Sequence, residues 1–143
     1  MSLAWVNSQI SSTRRSIEIL NSQLDKREEE LERLQKASSE LSDIQGDFQQ
    51  NEKLVTLPDL TPTTWHGNLA SKYDQFREGE LLSSYRELYQ GQLGRVLSDI
   101  SAKISEIQNR IKTLEADIAA LERHLRYLYA LKEDILEEMR KND

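Results

Sequence analysis

Residues 93–139 read LGRVLSDISAKISEIQNRIKTLEADIAALERHLRYLYALKEDILEEM. Counted in sevens, Leu97, Ile104, Ile111, Ile118, Leu125, Lys132 and Met139 take the a positions. Leu93, Ile100, Ile107, Leu114, Leu121, Leu128 and Ile135 take the d positions. Thirteen of these 14 are apolar in a chain that is 37% hydrophobic, where chance gives about five. A sustained 3.5-residue period is the signature of a helix that packs along a narrow seam.

The N-terminal arm repeats the pattern less strictly. Its a positions are Leu3, Ile10, Ile17, Leu24, Leu31, Ser38 and Gln45. Its d positions are Val6, Thr13, Leu20, Arg27, Leu34, Leu41 and Phe48. Arg27 reads either as a side chain that reaches out of the seam or as a register pin paired with an acid across the interface. The cluster Glu28-Glu29-Glu30-Leu31-Glu32 is solvated helix face, with Leu31 in the seam. Each arm spans about 46 residues, or ~70 Å of helix, and needs a partner for its seam.

Between the arms, residues 52–67 carry both prolines, Pro58 and Pro62, which bar a continuous helix. A helical pattern resumes with Leu69, Tyr73, Phe76, Leu81, Leu82, Tyr85, Leu88 and Tyr89, for which Asn68 is the expected N-cap. Gly91 and Gly94 mark a kink before the last arm. The expected fold is therefore all-α. It is an elongated antiparallel helical hairpin in one domain, 1–143, with arm 1 at 3–50, a proline-containing connector at 52–67, arm 2 at 68–141 and a kink near residues 91–94. A competing arrangement pairs only the two heptad arms and sets 49–94 apart as a small helical head. A parallel homodimer fits less well, because the prolines interrupt it.

Composition narrows the function. The 143 residues carry a net charge of -6 with the signs interspersed, and mean hydropathy is -0.69. Nucleic acid and anionic membrane surfaces both call for a basic face, so neither is expected as a partner. No stretch approaches the ~18 apolar residues of a membrane span, and the first residues lack the pattern of a cleaved signal peptide. The protein is expected to be cytoplasmic as synthesised.

Catalysis is not expected. There are 0 cysteines and two histidines, His66 and His124, whereas a zinc site takes three or four ligands from His, Cys and carboxylates. No Glu-x-x-His pair, phosphate loop or apolar-walled carboxylate pair is present. No cofactor is expected.

Two features point to a partner. Through most of the last arm the e and g positions are polar, but near its end they become Tyr129 and Leu131, with Tyr127 close by. An apolar stripe that widens in this way covers either the chain's own N-terminal helix, with Trp5 in reach, or another protein. The second feature is Trp65-His66-Gly67, between two helical segments, with Ala70 and Tyr73 just downstream.

The central Trp-x-Gly between two heptad arms, the length and the acidic charge resemble the WXG-type helical hairpins of type VII secretion. Within that group the chain looks most like the YwqH-like small proteins associated with LXG toxins. The resemblance implies a non-catalytic partner, chaperone or targeting factor that binds the helical N-terminal domain of such a toxin. A second small helical protein, or a second copy of the chain, is the further partner to be expected. The same resemblance implies that Trp65 and Gly67 shape the tip and that Tyr129 and Glu133 form an aromatic-xxx-acidic export signal, allowing export by type VII secretion without a cleaved signal peptide. Phe48/Glu52 and Phe76/Glu80 share that spacing. The alternative function is a structural coiled-coil adaptor or scaffold unrelated to secretion, which the heptads support equally.

Overall fold

The structure, a computed structural model, describes residues 2–59 and 66–143. Pro62 and Trp65 lie outside them. Helix α1 spans Leu3–Gln50, a short helix α2 spans Asn68–Phe76, α3 spans Leu82–Arg86 and α4 spans Leu93–Lys141. A 3-10 turn at Glu52–Thr56 follows α1, and π-helical turns at Arg77–Leu81 and Glu87–Gln92 link α2, α3 and α4. There is no strand among the described residues. The two long helices pack antiparallel as a hairpin.

Local chemistry sets the helix ends. Ser2 caps α1: the Trp5 N–H donates to its hydroxyl at 3.1 Å and the Val6 N–H to its carbonyl at 3.2 Å. Arg140 and Lys141 sit in the last turn of α4, where cations meet the negative end of the helix dipole. Gly67, rather than Asn68, is the residue before α2. It has φ +104°, and its carbonyl accepts the Ser71 N–H at 3.1 Å. A glycine reaches that backbone region without the clash a Cβ would bring, so the cap is one residue earlier than the side-chain pattern suggests.

The chain forms two compact units, Met1–Glu32 with Ser105–Asp143, and Arg33–Ile104. In the first, the seam of α4 closes at Ile107, Ile111, Leu114, Ile118 and Leu128, all a or d residues. Leu114 is fully buried. Across from this seam α1 buries Val6, Ile10 and the polar Thr13. Val6, Ile10 and Leu128 form one cluster, with Leu125, Leu131 and Ile135 packed on it. Further along, Arg110 reaches Gln23 at 3.5 Å. Arg27 pairs with Glu30 of its own helix at 3.1 Å, half exposed, so it leaves the seam instead of pinning a register across it.

In the second unit, Phe48 and Gln45 near the end of α1 meet Tyr85 and Tyr89. Both tyrosines lie upstream of Gly91 and Gly94. The return helix therefore packs on α1 well before the heptad arm begins. Where a kink is expected, near residues 91–94, the structure has the end of the π turn Glu87–Gln92. The flanking Arg86 and Leu93 both keep right-handed helical angles, so the helix widens there and does not break.

Candidate partner-binding surface

Aromatic and polar contacts within the second unit build a latch where α1 ends. The Phe48 and Tyr85 rings lie 5.4 Å apart, and Tyr85 meets Tyr89 edge-on at 5.8 Å. The Tyr85 hydroxyl donates to the Phe48 carbonyl at 2.6 Å. The buried Tyr89 donates its hydroxyl to Glu52 at 3.0 Å, and the same carboxylate takes the Arg86 guanidinium. Hydrogen bonds from Arg86 first, then Tyr89, hold the Glu52 carboxyl below its usual range. Desolvation, then the bond to Glu52, pushes the Tyr89 phenol up.

A π turn leaves main-chain carbonyls out of the regular ladder. The Tyr89 carbonyl finds its donor in the Gln45 side chain, at 2.7 Å. That bond accounts for a polar residue at an a position. The Gln45 amide also lies 4.0 Å from where a Cβ on Gly94 would stand.

Arg77 is a functional-looking residue that sequence patterning passes over. It is 3% exposed. Its guanidinium donates to the Pro58 carbonyl at 2.9 Å and to Asp74 at 2.5 Å, and lies 5.0 Å over the Tyr73 ring. It ties the start of the connector to the helix that follows. Only its burial marks it; the run Gln75-Phe76-Arg77-Glu78 reads as ordinary helix surface.

The sequence-marked residues divide among several surroundings. Leu131 is half-buried and packs on the Val6–Ile10–Leu128 cluster. Tyr129 is 40% exposed and Glu133 is exposed, four residues apart on one helix face. Tyr127 is 57% exposed and stacks on His124 at 6.1 Å. Gly67 is the cap of α2 described above, and Trp65 lies outside the described residues. Of the other two aromatic-acidic pairs, Phe48/Glu52 is consumed by the latch, whereas Phe76 and Glu80 remain exposed.

Seam positions on α1 are only partly covered. Ile17, Leu20, Leu24 and Leu31 in the first unit, and Leu34 and Leu41 in the second, are all half-buried. Two helices alone leave both flanks of a seam open to a further helix. Among the described residues no group of three or more His, Cys, Asp or Glu side chains is placed to hold a metal ion. No described helix is long and apolar enough to cross a membrane.

A family model described as YwqH-like matches residues 7–130 of the chain. No curated protein and no solved structure gives a significant match.

Proposed function

The chain belongs to the YwqH-like family, and on that premise we propose that it is a non-catalytic helical partner, chaperone or targeting factor for a type VII secreted toxin of the LXG class. The observation that carries this reading is the half-buried seam of α1. From Ile17 to Leu41 its apolar residues are aligned, yet they stay only half-buried. Helices from the toxin's N-terminal domain complete the burial and make a multi-helix bundle, with aromatic and aliphatic anchors carrying the affinity. Tyr129 and Glu133, exposed near the end of α4, contribute to an export signal that stands apart from the binding surface. The chain then travels with its toxin.

Co-expression with the helical N-terminal domain of an LXG toxin from the same organism, followed by size-exclusion chromatography with light scattering, tests the pairing. A stoichiometric complex is expected. Separate elution of the two proteins at micromolar concentration overturns it.

A further inference from the structure

Within the second unit an apolar track runs along the outer face of residues 69–96. Leu69, Tyr73 and Phe76 share one face of α2 at the i, i+4, i+7 spacing, and all are exposed, Leu69 by 73%. In an uninterrupted α-helix the next residue on that face would be Glu80. The π turn Arg77–Leu81 takes one residue more, so the apolar Leu81 succeeds Phe76 instead. The face then reaches Leu88, in the second π turn. The first widened turn thus keeps Leu81 in line with Phe76.

At Leu88 the track enters a groove between α1 and the start of α4. Ile44, Phe48, Leu93 and Val96 line it, with Leu88 at its head. Ile44 and Val96 occupy facing g positions and are each nearly half exposed. In the first unit the same flank carries polar g residues, where Arg110 bonds to Gln23. An apolar g pair leaves a two-helix edge unfinished. The c and g positions beside the groove hold Glu40, Asp47 and Asp99 against a single Lys103, so its rim is acidic.

We infer that this track and groove form a docking site for one amphipathic helix of a partner protein, apolar along one stripe and flanked by Lys and Arg. The length of the track, about 40 Å at 1.5 Å per residue, suits a helix of about seven turns. The acidic rim selects the basic flank and speeds encounter, and the Ile44–Val96 groove supplies the buried anchor. The site deepens the proposed function by naming the face that receives a toxin helix, yet it is tested without any toxin.

The probe is a fluorescein-labelled synthetic helical peptide of 26 residues with a Leu/Ala stripe and Lys flanks; its counterpart has Glu flanks. Fluorescence anisotropy against the full chain is expected to show binding of the Lys-flanked peptide alone. Ile44→Glu and Val96→Glu should each weaken it at least tenfold with unchanged helical circular dichroism. The double variant Glu40→Lys/Asp47→Lys, confined to exposed surface, should weaken it several-fold and let the Glu-flanked peptide bind. Equal binding of both peptides to the wild type, or Lys-peptide affinity indifferent to all three variants, overturns the site. Self-association of the free chain that Val96→Glu abolishes also overturns it, by making a second copy the occupant. Failure of the toxin complex with these results intact would refute the proposed function and leave the site standing.

Discussion

The side-chain amide of Gln45 donates to the main-chain carbonyl of Tyr89 at 2.7 Å, joining the last turns of α1 to a π turn of the return helix. A heptad rule would prefer Leu at Gln45. The structure makes the opposite demand, because the carbonyl would be left without this donor. Gln45→Leu is expected to lower stability by about 1 kcal/mol, measured by urea denaturation. A stabilised variant would show that the carbonyl does not need Gln45.

Leu114 is fully buried in the seam of α4. Leu114→Ala should cost roughly 2–5 kcal/mol, the range for a buried leucine whose surroundings cannot collapse into the gap. Ile19→Ala, at an exposed c position of α1, should change stability by less than about 0.5 kcal/mol. Circular dichroism melts of the pair test whether the hairpin's core is the heptad seam.

Among the described residues, Gly67→Ala meets no atom within 4 Å of the added Cβ beyond its chain neighbours. Its expected cost is backbone strain at φ +104°, about 1–3 kcal/mol. A loss of that size in thermal unfolding supports a backbone role for the glycine of the Trp-x-Gly motif. No loss would assign that glycine to something other than local geometry.

The Glu52 carboxyl is held below its usual range by Arg86 and then Tyr89. A carboxyl whose pKa is lower folded than unfolded contributes stability above the unfolded value, and that contribution is lost as pH falls through the folded one. Unfolding measured from pH 7 to pH 3 should therefore show a loss beginning near the ordinary carboxylate range. Glu52→Gln should flatten part of that slope and lower stability at pH 7. An unchanged pH profile would mean that the latch contributes nothing through charge.

Tyr129→Ala should reduce export while leaving the toxin complex intact, because the side chain is 40% exposed and is not among those that form or pack on the Val6–Ile10–Leu128 cluster. Secretion assays and co-purification, run together, read the two effects apart. Joint loss would contradict a separate signal. Trp65→Ala, by contrast, should impair assembly or export if the Trp-x-Gly tip matters, and should be silent in a generic scaffold.

Much of the fold was legible because the heptad is a direct record of burial. Leu114, Ile118 and Leu128 fall where the count in sevens puts them, and α1 ends close to its last d residue, Phe48. The π turns were not legible. Nothing in Arg77-Glu-Gly-Glu-Leu81 announces an extra residue per turn; the inward pull of Arg77 and Tyr89 and the outward line of Leu81 and Leu88 become visible only with tertiary packing. Arg77 was missed for the same reason, since its partners Pro58 and Asp74 are brought together by the fold. Leu131 shows both readings of the widened stripe at once: it is half-buried and packs on a cluster that includes Val6 and Ile10 of the N-terminal helix.

The most direct test of the proposed role is affinity capture of the intact chain from its own organism, with mass spectrometry of the eluate. The account predicts a stoichiometric larger protein with an LXG-type helical N-terminus and a toxin C-terminus. Recovery of only further copies of this chain, or of scaffold proteins with no toxin domain, would contradict it.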